Sequence, residues 1–378
     1  MKKIKTDFLI VGSGFYGCVL AERISNLMNK KVIILEKRDH IGGNCFSEYD
    51  QETGIEYHKY GTHIFHTSIN NVWDYLKNFT YLNDYRHQVL TKYKKKIYQL
   101  PINLETINSF FNKNFTPAEA KNFILLQTKK FQSKDKNNFE IKAKSQIGEK
   151  LYNAFIKNYT YKQWGTDPKN LPASIFNRLP LRFDYNESYF KNTIIQGIPK
   201  DGYTKIFNRL TENKNIEIIY NYNYQYQNEH EVKYLTIYTG PLDKLLKNKY
   251  GQLNWRSLKF KKEIVNYNDF QGTSVINFPE LKYNYTRIHE PRHLHIERDY
   301  GKKTLIIKEF PTINNEEPYY PINDTVNRAR HKKYKNFLIK NDKKLIFGGR
   351  LADYAYYDMD MTISAALKKF EQIKKNFK

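Results

Sequence analysis

The hexad Gly12-Ser13-Gly14-Phe15-Tyr16-Gly17 narrows the possible folds more than any other feature of this sequence, because of what flanks it. The apolar run Phe8-Leu9-Ile10-Val11 precedes it. Leu20, Ile24 and Leu27 follow at helical spacing, before a second apolar run, Val32-Ile33-Ile34-Leu35. Strand, tight turn, helix and strand in that order form one βαβ unit, whose parallel strands call for a sheet covered on both faces. The glycines let the chain turn sharply and let its backbone approach a pyrophosphate, with the helix N-terminus facing the phosphates. Glu36 stands 19 residues after Gly17, at the end of the second run, where a carboxylate can accept hydrogen bonds from ribose hydroxyls. The unit reads as the dinucleotide-binding turn of a doubly wound α/β sheet.

Two later runs extend that sheet: Leu235-Thr236-Ile237-Tyr238 before Thr239-Gly240-Pro241, and Leu345-Ile346-Phe347 before Gly348-Gly349. The nucleotide domain is therefore discontinuous. Thr116-Pro117-Ala118-Glu119 supplies an N-cap hydroxyl, a first-turn proline and a carboxylate at the third helical position, and Ile147, Leu151 and Phe155 keep helical spacing. An inserted helical domain is expected there. From Arg256 onward Leu258 and Phe260 alternate, and Val275-Ile276-Asn277-Phe278 and Leu305-Ile306-Ile307 are bounded by turns, which predicts a largely antiparallel sheet. The expected division is 1–67, 201–245 and 340–378 for the Rossmann-like domain, 104–178 for the helical domain, and 68–103, 179–200 and 246–339 for the antiparallel-sheet domain. The biased run Asn221-Tyr222-Asn223-Tyr224-Gln225-Tyr226-Gln227 reads as a surface connection.

A length of 378 residues accommodates such a division. A hydrophobic fraction of 40%, with 16% aromatic residues, excludes long disorder. The formal charge of +24 favours anionic ligands, yet the lysines fall in dispersed pairs and one triplet, Lys94-Lys95-Lys96, as on a solvated surface. Neither a nucleic-acid partner nor membrane insertion is expected. The first apolar run stops after four residues, too short for an export signal, and no run reaches about 18 apolar residues. Cys18 and Cys45 lack any paired or metal-binding spacing, which suits free thiols in the cytoplasm.

Lys37-Arg38-Asp39-His40-Ile41-Gly42-Gly43-Asn44 resembles the extended flavin-binding motif of glutathione-reductase-like flavoproteins, which favours FAD over NAD. No second glycine hexad suggests a separate nicotinamide domain. Four further segments follow in order: Tyr57-His58-Lys59-Tyr60-Gly61-Thr62-His63-Ile64-Phe65-His66-Thr67, Tyr159-Thr160-Tyr161-Lys162-Gln163-Trp164-Gly165, Glu317-Pro318-Tyr319-Tyr320-Pro321 and Phe347-Gly348-Gly349-Arg350-Leu351-Ala352. With Trp255 to Phe260, Tyr285-Thr286-Arg287 and Tyr356-Tyr357-Asp358-Met359, they resemble the bacterial UDP-galactopyranose mutase family along essentially the whole chain. The resemblance implies a Rossmann-like FAD-binding domain with an inserted helical domain and an antiparallel β-sheet domain, and a homodimer. It implies an isomerase that interconverts UDP-galactopyranose and UDP-galactofuranose for cell-surface glycans. Reduced FAD would act through a flavin N5–sugar adduct, so that covalent catalysis divides one difficult rearrangement into easier steps.

Residue by residue, the resemblance assigns Gly12, Ser13, Gly14, Phe15, Gly17, Glu36, Lys37, Gly43, Asn44, His63, Arg350 and Met359 to the cofactor. Arg178 and Arg287 match two arginines at the substrate diphosphate, where a guanidinium offers a planar fork of donors. Tyr189, Tyr319 and Tyr356 match tyrosines at the same group. Phe155, Tyr159, Thr160 and Trp164 match the uridine side, and Asn277 and Asp358 complete the substrate set. Phe155 lies four residues before Tyr159 on one helix face, so core packing competes with nucleotide contact. The run after Trp164, Gly165 to Asn170, is similar to the family's substrate lid. His63 and His66 are expected beside the flavin with roles in catalysis; they form an HxxH pair without a convincing third ligand, and no metal is expected. Thr62, Asp353 and Ala355 depart from residues common in the family, which bears on sugar preference. An FAD-dependent oxidase, or a mutase preferring UDP-N-acetylgalactosamine, are the competing expectations.

Overall fold

The computed structural model describes residues 4–132, 137–178, 180–191, 193–226, 230–313 and 317–377, with the backbone alone for residues 174, 177 and 178. The N-terminal unit forms as the apolar runs require: strand Lys5–Val11, helix Phe15–Met28, strand Val32–Leu35. Five parallel strands lie in the order Leu345–Phe347, Glu231–Tyr238, Lys5–Val11, Val32–Leu35, Ile216–Ile219. Alternation sorts the side chains of the central strand. Phe8 and Ile10 pack with Val19, Ile24, Ile363 and Phe370 of the helices Phe15–Met28 and Met359–Asn376, while Leu9 packs with Ile33 and Leu35 on the other face. Each such buried side chain contributes roughly 1.5–3 kcal/mol. The edge strand Ile216–Ile219 is an addition to the predicted sheet.

From Lys5–Val11 the chain adds Val32–Leu35 and Ile216–Ile219 on one side of the sheet and then crosses to add Glu231–Tyr238 and Leu345–Phe347 on the other, so the strand order reverses there. A crevice is left beyond the C-terminal strand ends, the usual ligand position in such sheets.

A second, seven-stranded sheet runs Tyr320–Pro321, Trp255–Val265, Thr304–Thr312, Arg287–His289, Val275–Asn277, Val89–Tyr93, Lys96–Leu100. It is antiparallel apart from the Val275–Asn277/Val89–Tyr93 pair. Lys94 and Lys95 of the lysine triplet form its hairpin turn, both at positive φ. The helical part comprises Leu104–Phe111, Pro117–Thr128 and Phe139–Leu151, then a π-helical turn, Tyr152–Ile156, leading into Lys157–Trp164. The expected capping box forms, with Glu119 N–H donating to Thr116 Oγ1 and Thr116 N–H donating to Glu119. Two helices that fall wholly or mostly in the ranges expected for the antiparallel-sheet domain pack elsewhere. Val72, Tyr75 and Leu76 of Asn70–Leu76 join the core beneath the first sheet, and Tyr334 and Leu338 of Thr325–Asn341 join Tyr238 and Leu242 on its other side.

Candidate functional site

A cavity of about 700 Å³ opens at the strand-order reversal. Gly12, at φ +106°, makes the turn out of the first strand; a Cβ there would strike Thr239 Oγ1 at 2.1 Å. Gly14 lines the cavity and would place a Cβ where no protein atom lies within 4 Å, so the space beside it is a cradle that a side chain would fill. Ser13 donates to Glu36 Oε2 from its N–H (2.9 Å) and its hydroxyl (2.7 Å), and Arg38 N–H donates to Glu36 Oε1 (2.9 Å). The carboxylate thus fastens the glycine turn to the second strand while lining the cavity. Phe15, Gly17, Lys37, Gly43 and Asn44 line it too. Arg38 belongs to the flavin-like motif but not to the residues assigned to the cofactor from sequence. Its guanidinium donates to Asn44 Oδ1 (3.0 Å) and Glu317 Oε2 (2.8 Å) and lies over the Tyr60 ring, whereas Lys37 is half-exposed.

The tyrosine-rich run is a surface connection, as its composition predicts, and it has a second role that the composition did not reveal. Tyr222, Asn223, Tyr224, Gln225 and Tyr226 line the same cavity, and Tyr222 N–H donates to the Glu36 carbonyl (2.9 Å). The pairing of Ile216–Ile219 beside Val32–Leu35 carries the run past Glu36. An apolar edge strand immediately before it was the signal available in the sequence.

At the other end of the cavity stand His63, Arg350 and Met359. His63 Nδ1 lies 2.6 Å from the Gly61 carbonyl, which can only accept, so Nδ1 carries the proton and Nε2 keeps its lone pair. Burial, aided by Arg350, pushes this imidazole down to about 4, so it is neutral at pH 7. Arg350 donates twice to the Tyr357 carbonyl (3.0 and 2.6 Å) and lies over the Tyr356 ring. The helix Met359–Asn376 begins at this wall, with Met359 and Thr362 in the lining, and its N-terminal partial positive charge faces the same end. His66 is placed differently from His63: its ring stacks on Phe190, 3.7 Å between centroids.

Beyond Arg350 the aromatic wall continues. Tyr356 stacks on Tyr320 with an interplanar angle of 7°, and Tyr320 is close enough to Arg350, Arg287 and Glu309 to feel all three charges. Tyr319, the residue named from sequence, is buried beside it. Arg287 donates from Nη2 to the Tyr159 hydroxyl, and its Nε lies 3.5 Å from Glu309 Oε1. Glu309 was missed by sequence reasoning. Burial opposes its ionisation, but Arg287, His289 and the Thr286 hydroxyl together hold it down to about 2. Tyr189 adds to the electrostatic surroundings of Arg287, and Asn277 pairs with Arg287 across adjacent strands, its Oδ1 buried without a hydrogen-bond partner. The guanidinium of Arg287 is thereby held between a buried carboxylate and a phenol.

Thr160 is buried one residue beyond Tyr159, and Trp164 is half-buried against the helical core at the end of the same helix. Phe155 is 2% exposed and packs edge-on against Tyr93 and Phe110, so its ring is committed to the helical core. Asp358 is the N-cap residue of the last helix. The Arg178 side chain lies outside the described residues; its backbone ends the turn Ala173–Arg178. Thr62 hydrogen-bonds His289, and Asp353 N–H donates to the Gly349 carbonyl behind Arg350.

A family profile described as UDP-galactopyranose mutase matches residues 154–356, and one described as NAD(P)-binding Rossmann-like domain matches residues 10–79. A probable UDP-galactopyranose mutase of Klebsiella pneumoniae is 38% identical over 97% of this chain and 94% of its own length. The chain belongs to the UDP-galactopyranose mutase family. Within the family a dTDP-fucopyranose mutase of Escherichia coli is nearly as similar, 36% identical over 98% of this chain and 99% of its own. A crystal structure of reduced UDP-galactopyranose mutase superposes with a TM-score of 0.75 at 15% identity, covering 98% of this chain and 96% of that one. A redesigned putrescine oxidase shares the fold at a TM-score of 0.59 and 11% identity, covering 99% of this chain and 100% of its own. No helix among the described residues is long and apolar enough to cross a membrane.

Proposed function

We propose that this member of the UDP-galactopyranose mutase family is a cytoplasmic, homodimeric enzyme that binds FAD and, with the flavin reduced, interconverts UDP-galactopyranose and UDP-galactofuranose. The observation that carries the reading is the adjacency of two built sites. The glycine-cradled cavity ends at His63 and Arg350, and the stacked Tyr356–Tyr320 pair leads from there to Arg287. The cradle at Gly14, the anchored Glu36 carboxylate and two helix N-termini suit an adenine dinucleotide.

When bound, reduced FAD supplies a nitrogen nucleophile for the anomeric carbon. This chain's residues do the rest. Arg287, with Arg178, holds the diphosphate as it departs and keeps it for return, and the phenols of Tyr159, Tyr189, Tyr319 and Tyr356 donate to phosphate oxygens without further charge. Neutral His63 presents an acceptor toward the ring of the flavin, and the start of the last helix stabilises negative charge there. Tyr159, Thr160 and Trp164 receive the base. The family's arginine and nucleotide elements separate this reading from an oxidase, which shares the fold.

Dithionite-reduced protein under nitrogen should convert UDP-galactofuranose to UDP-galactopyranose, with no activity when the flavin is oxidised. Absence of conversion would overturn the reading. The Escherichia coli relative favours a second substrate, so dTDP-fucopyranose belongs in the same assay; a higher kcat/KM for it would reassign the base and sugar while leaving the reaction class intact.

A further inference from the structure

Between the cofactor end of the cavity and Arg287 lies a continuous line of polar contacts. Thr62, beside cavity-lining His63, places Oγ1 2.8 Å from His289 Nδ1. His289 Nε2 is 3.2 Å from Glu309 Oε2. The other Glu309 oxygen accepts from the Thr286 hydroxyl (3.1 Å) and faces Arg287 Nε (3.5 Å), and Arg287 Nη2 ends the line on Tyr159. Both His289 and Glu309 are almost fully buried, 2% and 4% exposed, so water does not compete for these contacts.

The direction of each hydrogen bond follows from the chemistry of the groups. Ionised Glu309 can only accept, so Nε2 of His289 carries a proton and donates. Burial lowers the affinity of His289 for a second proton, which leaves Nδ1 as a lone-pair acceptor. Thr62 must then be the donor. A small hydroxyl side chain at this position completes the line.

We propose that Thr62 and His289 are positioning residues that tie the cofactor-side loop to Glu309 and so fix the orientation of the diphosphate-binding Arg287. The inference rests on the assignment of Arg287 to the nucleotide diphosphate. Neither residue touches the reacting atoms. Their effect is that the loop bearing His63 and the guanidinium of Arg287 move together.

The test uses the FAD-loaded protein, oxidised so that binding is read without turnover, and UDP as the probe. Thr62→Val keeps the shape and removes the donor; it should weaken UDP binding about fivefold, the magnitude of one net hydrogen bond, with flavin occupancy unchanged. The UDP-induced change in the flavin absorption spectrum should shrink in parallel, and Thr62→Ser should restore both. In a His289→Leu background Thr62→Val should have no further effect, because the acceptor is already gone. An unchanged UDP affinity in Thr62→Val, or an equal loss in both backgrounds, would overturn the relay. Loss of sugar interconversion in wild-type protein that still shows these UDP effects would overturn the mutase reading alone.

Discussion

The ammonium of Lys162 lies among four backbone carbonyls, those of Phe278 (2.5 Å), Glu280 (3.2 Å), Tyr283 (3.1 Å) and Tyr285 (2.7 Å). Lys162 shares a helix with Tyr159, Thr160 and Trp164, while the segment it holds lies between Asn277 and Arg287. One side chain thus joins the two walls of the proposed nucleotide site. Burial lowers its pKa from 10.5 to about 8. The unfolded chain therefore binds more protons between about pH 8 and 10.5, and conformational stability rises with pH across that window as the buried charge is discharged. Binding should move the other way. A neutral amine has two N–H groups for four carbonyls, so UDP affinity, followed by calorimetric titration, should fall as pH rises through about 8. Lys162→Met should bind weakly throughout. Lys162→Arg, always charged, should lack the inflection, and a flat wild-type profile would contradict the clamp. The lysine stood in plain sight within a quoted motif, but its partners are carbonyls more than 110 residues away, which no local pattern reveals.

At the level of elements, the end of the helix Lys157–Trp164 explains what precedes the proposed lid. Gly165 caps it at φ +65°, and Arg256, 3% exposed, donates from Nε to the Gln163 carbonyl (2.9 Å) and from Nη2 to that of Lys162 (3.3 Å). A cation on the last carbonyls satisfies orphaned acceptors and complements the negative end of the helix. A Cβ on Gly165 would approach Arg256 Nη1 to 2.8 Å besides holding the left-handed conformation. Gly165→Ala should therefore lower stability by about 1–2 kcal/mol in chemical denaturation and weaken UDP binding while flavin is retained. Unchanged UDP affinity would show that the cap has no bearing on the site. The legibility of elements followed the range of the forces that make them. The βαβ unit and the Thr116 capping box depend on neighbours within a few residues, and both were readable. The strand Ile216–Ile219 acquires its place only by pairing with Val32–Leu35, and the tyrosines after it became cavity lining for that reason. Phe155 kept helical spacing, yet spacing could not say whether the ring met a base or the core aromatics Tyr93, Tyr98 and Phe110 that now surround it.

For the whole molecule, the two-sheet architecture is shared with a putrescine oxidase, so the fold alone does not choose a reaction; the side chains at the junction of the sheets do. The charge of +24 belongs to the same scale. The guanidinium groups of Arg287 and Arg350 at the junction are partly buried, and several of the abundant lysines have structural work, such as the hairpin turn at Lys94-Lys95 and the clamp at Lys162. The remaining excess is dispersed on the surface, where it produces a field rather than a docking patch. A field of that kind attracts a dianionic nucleotide sugar over a distance comparable with the Debye length, about 8 Å at physiological ionic strength. Raising sodium chloride from about 0.02 to 0.3 M should therefore lower kcat/KM for the UDP-sugar several-fold, through slower encounter. The first-order turnover at saturation should stay constant, since the contacts that act on bound substrate are screened far less. Steady-state kinetics at matched pH, with flavin content checked by absorbance at each salt concentration, separates these effects. A kcat that falls in step with kcat/KM would place the salt effect inside the site and remove the steering role from the surface charge.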